Sequence, residues 1–164
     1  MSTLPPFQRF LDAHCDDVLR LLVAAVGRHD ADDAFQETFL SALRAYPRLR
    51  PDSNLRSWVL TISHRKALDV HRARGRRALP VAELDDRSGS AAPVAGGGTD
   101  GDRWDRVRAL PARQREVLTL RYAADLTHAE VALALGCSEA AARRAAADGL
   151  KTLRKELSDV PATA

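Results

Sequence analysis

At 164 residues, 45% hydrophobic and 29% charged, the chain has the composition of a globular protein made of one ordinary domain or two small ones. Its longest apolar run, Leu21 to Val26, is far short of the roughly 20 residues a membrane-spanning helix needs, and MSTLPPFQRF has no basic-then-apolar leader pattern, so no membrane insertion and a cytoplasmic location are expected. The net charge of +3 is unevenly spread: seven basic residues face two acids between 52 and 77, and eleven face six between 103 and 155, while 78–102 carries −4. Two basic blocks flanking an acidic connector suit two nucleic-acid contact surfaces joined by a segment that avoids nucleic acid.

In chain order, residues 5 to 26 are predicted to form a helix, with Phe7, Phe10, Leu11, Val18, Leu21, Leu22 and Ala25 at spacings of three and four and Gly27 as its stop. A turn over Gly27 to Asp30 leads to DADDAFQETFLSALRAY. There Phe35, Phe39, Ala42, Leu43 and Tyr46 form an apolar stripe, and Asp33, Gln36, Glu37, Leu40 and Arg44 lie elsewhere. A leucine among polar residues fits a docking face for a protein partner, although single exposed leucines are also ordinary. Asp30, Asp32 and Asp33 are expected to complement the helix dipole and cap its first amides.

NLRSWVLTISHRKALDVHRARGRR, from Asn54 to Arg77, places Leu55, Trp58, Val59, Ile62 and Leu68 beside Arg56, Arg65, Lys66, Arg72, Arg74, Arg76 and Arg77, with Asp69 as its one acid. The spacing predicts a helix lying on a core, its basic residues thickening toward the C-terminal end, where the dipole favours them. A polyanion-binding surface and an ordinary solvated helix end covered by arginine stems both fit this pattern. His64 and His71 share a face among basic residues, as phosphate or base contacts would.

From 78 to 101 the chain loses periodicity in LPVAELDDRSGSAAPVAGGG and is expected to be a flexible acidic linker. Beyond it Pro111 opens a helix with Val117, Leu118, Leu120 and Tyr122 as core. Thr127 and Glu130 form a capping box for a helix of about eight residues with Val131, Ala132 and Leu135 inside. Gly136 stops that helix, and Ser138 caps a longer one with Arg143 and Arg144 near its start. That is a helix-turn-helix layout, for which a plain αα-hairpin is the alternative. No Gly-rich phosphate loop, carboxylate pair or nucleophile triad stands out, and isolated Cys15 and Cys137 suggest neither disulfide nor zinc but small buried side chains.

Three of these stretches together resemble the extracytoplasmic-function group of bacterial RNA polymerase sigma factors. DADDAFQETFLSALRAY is similar to that family's region 2.2, SWVLTISHRKALDVHRARGRR to regions 2.3 and 2.4, and LPARQREVLTLRYAADLTHAEVALALGCS to region 4. The resemblance implies an all-α protein with a region 2-like bundle over 1–77, a linker over 78–101, a region 4-like helix-turn-helix over 102–157 and a tail over 158–164. It implies polymerase docking through Asp33, Gln36, Glu37, Leu40 and Arg44, on the largest subunit's coiled coil, with the flap as a further contact. It implies minus-ten recognition and melting through Arg56, Trp58, His64, Arg65, Lys66, Asp69, Arg72, Arg76 and Arg77, and upstream duplex contact through Thr127, His128, Ser138, Glu139, Arg143 and Arg144. Promoter DNA and an anti-sigma factor are the implied partners besides core polymerase. No cofactor, metal, catalysis or small-molecule substrate is implied.

Two departures from the family pattern stand out. Where the family usually has Asn after Ile-Ala-Arg, this chain has Ser63, His64 and then Arg65, which implies an altered minus-ten preference. Where its recognition helix usually resembles TVKSRLHRA, this chain has AAARRAAADG. Losing one or two base contacts at about 1–3 kcal/mol each weakens duplex reading by an order of magnitude or more. Gly149 is expected to cost the helix roughly 1 kcal/mol relative to Ala. A sigma-like DNA-binding regulator that does not initiate transcription is therefore the alternative, ahead of an enzyme using the His and Asp residues or a pure adaptor.

Overall fold

The computed structural model describes residues 3–77 and 99–159, in helices and connecting turns with no strand among them. The chain divides into two compact units, Met1–Asp85 and Asp86–Ala164. Most of the expected linker, 78–98, lies outside the described residues, and its last three positions already belong to a helix.

The first unit is a bundle of α1 (Phe7–Val26), α2 (Arg28–Ala45) and α3 (Leu55–Arg77), each packing on the other two. α1 buries Phe10, Val18, Leu21, Leu22, Ala24, Ala25 and Val26 on one side. It ends at Gly27, whose φ of +81° is open to glycine and strained for other residues. The Gly27 N–H donates to the Val23 carbonyl at 2.9 Å, and its own carbonyl accepts from Ala31 at 3.2 Å. One residue therefore makes the whole joint, and α2 begins at Arg28 rather than after a four-residue turn. The aspartates consequently sit inside the helix rather than at its cap, and no side chain caps α2.

Aromatic rings fill one end of this bundle. Phe10 has Tyr46 at 5.1 Å, Phe7 at 5.4 Å and Trp58 at 5.7 Å, measured between ring centroids, and the Tyr46 hydroxyl donates to the Pro5 carbonyl at 2.7 Å. Tyr46 belongs to the single 3₁₀ turn Tyr46–Arg48 that follows α2 at Pro47. With Phe10 almost fully buried, truncating it to alanine costs about 3–5 kcal/mol. α3 starts where the Asn54 side-chain oxygen accepts from the Ser57 N–H at 3.0 Å, an N-cap.

Its core face is rotated from the predicted one. Val59, Leu60, Ser63, His64 and Ala67 are buried, whereas Leu55, Trp58, Ile62 and Leu68 are half-buried. Ser63 fits the interior because its hydroxyl donates to the Val59 carbonyl at 2.8 Å and leaves a small, satisfied side chain.

The second unit contains α4 (Thr99–Ala109), α5 (Ala112–Leu118), α6 (His128–Leu135) and α7 (Glu139–Ser158). α5 runs into a π-helical segment, Thr119–Ala123, closed by Ala124 N–H to Thr119 O at 3.3 Å and Leu126 N–H to Leu120 O at 3.2 Å. The wider turn shifts the helical register. Leu118, Leu120, Ala123, Ala124 and Leu126 go inside, and Tyr122, expected in the core, is 55% exposed with the Arg121 guanidinium 5.7 Å from its ring centroid.

α7 continues unbroken through Gly149, which is buried. A Cβ added there would lie 2.8 Å from Leu118 Cδ1 and 3.3 Å from Gln114 Cβ. Gly149 thus lets α7 approach α5 closely, and its helix-weakening effect is offset by packing. Cys15 and Cys137, expected to be buried, are half-buried and reduced.

Candidate nucleic-acid interface

The inner side of α2 consists of Ala31, Ala34, Thr38, Phe39 and Ala42, with the Thr38 hydroxyl turned back onto the Ala34 carbonyl at 2.7 Å. This leaves Asp33, Gln36, Glu37, Leu40 and Arg44 exposed together on the outer side, as their spacing predicts. Leu43 does not join the inner stripe. It is 50% exposed and extends the outer face beside Leu40, 46% exposed, so two leucines stand among the polar groups.

On α3 the structure separates the basic residues into two sets. Arg56 donates through Nε to Asp17 at 2.7 Å and thereby ties α3 to α1. Arg74 grips Asp30, with Nε to Oδ2 at 2.8 Å, and also donates to the Val26 carbonyl, joining the end of α3 to the α1–α2 joint. Lys66 lies 3.8 Å from Glu37 of α2, and Arg72 pairs with Asp69 at 3.3 Å on the same exposed helix face. Arg65, Arg76 and Arg77 are exposed and have no ion-pair partner among the described residues.

His64 is only 4% exposed. Its expected role as a strand contact is therefore corrected: it stands on the core face with Val59, Leu60 and Ala67, and the surface at that turn belongs to Arg65. Arg56 is likewise engaged in holding the bundle. The same Asp17 that receives Arg56 also has Arg20 at 3.4 Å, and His14 is close by. Burial lowers the pKa of His14; the Asp17 carboxylate opposes that effect and the Arg56 charge adds to it.

Trp58 is half-buried. One side packs in the aromatic cluster, while the ring also lines an open groove of about 340 Å³ together with Leu49, Ser53, Asn54, Ser57, Thr61, Ile62 and Arg65. Asn54 and Thr61 are groove residues that the search for cations overlooked. The Asn54 position was open to sequence reasoning as a helix-capping signal; Arg74 and Asp30, 44 positions apart, left no local signal.

In the second unit the helix-turn-helix geometry follows the sequence closely. Thr127 caps α6 with both capping-box bonds present: Glu130 N–H to Thr127 Oγ1 at 3.2 Å and Thr127 N–H to Glu130 Oε2 at 2.8 Å. Gly136 takes the left-handed conformation at φ 63°, and Ser138 Oγ accepts from Ala141 N–H at 3.1 Å to open α7.

Thr127 and Ser138 therefore spend their hydroxyls on capping. Glu139 and Arg143 bind one another, with Nε to Oε1 at 3.1 Å. Arg144 is exposed with no ion-pair partner among the described residues, and His128 is half-buried. On α6, Val131 and Ala132 are buried, Leu135 is half-buried, and Leu133 is 84% exposed. Among the described residues no group of His, Cys, Asp or Glu is arranged to hold a metal ion, and no helix is long and apolar enough to cross a membrane.

Comparison with known proteins matches the same two units. Residues 10–77 match the family model for Sigma-70 region 2, and residues 104–153 match that for Sigma-70, region 4. The ECF RNA polymerase sigma factor SigD of Mycobacterium tuberculosis is 35% identical over 133 residues, which are 77% of this chain and 63% of SigD. SigC of the same species is 30% identical over 141 residues, 79% of this chain and 71% of SigC. The chain thus spans a little under two thirds of the length of the SigD relatives.

Two solved structures share the fold. The sigma factor RpoE, in complex with the anti-sigma factor NepR from Bartonella quintana, gives a TM-score of 0.74 at 20% identity, covering 94% of this chain and 98% of the other. CnrH, in complex with the cytosolic domain of CnrY, gives 0.72 at 22% identity, covering 94% and 88%.

Proposed function

Because this chain belongs to the extracytoplasmic-function group of bacterial RNA polymerase sigma factors, we propose that it binds core RNA polymerase, directs it to promoters and helps to melt them, with no catalysis or cofactor of its own. The observation that carries this reading is the division of labour on the first unit. The outer face of α2 shows Leu40 and Leu43 among polar groups, whereas α3 shows Arg65, Arg72, Arg76 and Arg77. An apolar-centred face suits a protein partner, and a cationic helix beside an aromatic groove suits single-stranded DNA.

Opening then follows from differential binding. Contacts that hold the non-template strand but not the duplex shift the promoter toward its melted state. The helix-turn-helix would add upstream duplex contact through α7, where Arg144 is the basic residue of the first turns left unengaged. An anti-sigma factor belongs to this reading as a partner, since RpoE, a protein of the same fold, is solved with one.

A second reading, a sigma-like regulator that binds DNA without initiating transcription, is favoured by one observation: the first turns of α7 are alanine-rich and Arg143 is held by Glu139. Run-off transcription with purified core polymerase on promoter fragments of the source genome decides between the two. Transcripts with defined starts support initiation. Retained DNA binding with no transcript from any fragment supports the regulator.

A further inference from the structure

Building on the reading of α3 as the strand-contacting helix, we propose that the groove beside Trp58 holds one unstacked base of the non-template strand. Arg65 selects, by this proposal, a base that presents two adjacent hydrogen-bond acceptors on one edge: guanine through N7 and O6, or cytosine through N3 and O2.

The first support is the fixed aromatic wall of the groove. Trp58 is held from behind by Phe10 and Tyr46, at 5.7 and 6.3 Å between ring centroids, so its position is set before any base arrives. Ile62 adds apolar surface, and the volume of about 340 Å³ falls in the range of sites that take small planar ligands, roughly 300–1,000 Å³. A ring of this kind is a stacking platform for a base of any identity, so selection must come from the polar groups.

Those polar groups are mostly committed. The Asn54 side-chain oxygen accepts from the Ser57 N–H at 3.0 Å, and the Thr61 hydroxyl donates to the Ser57 carbonyl at 2.9 Å, leaving it only to accept. Arg65 differs from its neighbours: Arg56, Lys66, Arg72 and Arg74 all face carboxylates, whereas Arg65 is exposed with no ion-pair partner among the described residues. A guanidinium carries five donors and no acceptor. Two parallel bonds to an acceptor pair satisfy it, and guanine read through O6 and N7 is the commonest such pairing. Adenine alternates donor and acceptor along each edge, and thymine separates its two acceptors with an N–H. Either base would point an N–H at the guanidinium.

The test is transcription by holoenzyme reconstituted from the full chain and core polymerase, on a promoter library randomised across the melted segment, with sequencing of the transcripts. The wild type is expected to enrich guanine or cytosine about tenfold at one non-template position. Arg65→Gln, whose carboxamide supplies one donor and one acceptor, is expected to move that one preference to adenine and leave the other positions unchanged. If guanine is the base, 7-deazaguanine at that position lowers open-complex formation by a similar factor; if it does not, the assigned edge is wrong. If cytosine is the base, 5-methylcytosine, whose N3 and O2 are intact, is accepted as well as cytosine.

Overturning results are an Arg65→Gln holoenzyme with the wild-type preference at every position, or a wild-type preference for adenine or thymine at the position that the substitution alters. Silence across the whole library, with core polymerase bound normally, would instead remove the initiation reading and this inference with it.

Discussion

Arg74 closes on Asp30 across 44 positions of sequence and, through the Val26 carbonyl, holds the last turns of α3 against the α1–α2 joint. The pair is only partly buried, so its worth is discounted from that of an interior ion pair. Arg74→Ala is expected to lower the unfolding free energy of the protein by about 1–2 kcal/mol, counting the loss of two charge-assisted bonds. Chemical denaturation measures it, and Asp30→Asn should cost less because the bond to Val26 survives.

Gly149→Ala sets two effects of opposite sign against each other. Helix propensity alone favours alanine by roughly 1 kcal/mol, but the new methyl meets Leu118 Cδ1 at 2.8 Å in a region where Leu118 is 1% exposed. Overpacking costs about 1–3 kcal/mol, so the substitution is expected to lower the melting temperature. Adding Leu118→Val, which removes a methylene at the contact, should make the same glycine substitution less harmful than it is alone. Stabilisation by Gly149→Ala in the otherwise native protein would show that the two helices separate at little cost.

Leu40 is 46% exposed and supports no packing that its loss would disrupt. Leu40→Asp is therefore expected to leave the melting temperature within a few degrees of native while weakening core polymerase binding at least tenfold, as loss of a central apolar anchor does. Fluorescence titration with core polymerase reads the second effect and circular dichroism the first. Equal binding by both proteins would move the docking surface away from α2.

His14 makes stability depend on pH. Burial holds its pKa below the ordinary 6.5, with the Asp17 charge opposing and the Arg56 charge assisting that shift. The unfolded chain therefore takes up this proton before the folded one does, and stability falls as pH drops from about 6.5 through the lower folded value. The Nδ1 atom of His14 has no hydrogen-bond partner among the described residues, so nothing there rewards protonation. Denaturation between pH 7 and 5 should show a flatter profile for His14→Gln than for the native protein; parallel profiles would assign the acid sensitivity to other groups.

Legibility in the sequence followed the range of the interaction. Both caps of the helix-turn-helix and the stop at Gly136 were plain, because each is settled within a few residues by a hydroxyl or a left-handed glycine. The outer face of α2 was legible for the same reason, since helical period alone brings Asp33, Gln36, Glu37, Leu40 and Arg44 together.

Failures came where register or long-range packing decided. Tyr122 was misplaced because periodicity assumes 3.6 residues per turn and the segment from Thr119 is π-helical. His64 resembled a surface cation among Arg65 and Lys66, and only the three-dimensional core shows that the helix turns it inward. For Arg56 and Arg74 the chemistry was correct and the partner wrong: carboxylates of α1 and α2 take them, and no local pattern announces a contact 39 or 44 positions away.

The single-residue joint at Gly27 makes the first unit a phase-locked device. One residue inserted there would advance α2 by about 100° about its axis, turning Leu40 toward the bundle and lifting Phe39 out of it. Surface connections ordinarily absorb length variation; this one has no slack to absorb it. Insertions and fusions in this unit are best placed elsewhere, and a natural variant with an extra residue at this joint would need a rewritten α2, with its apolar positions shifted by one, to keep both its core and its outward face.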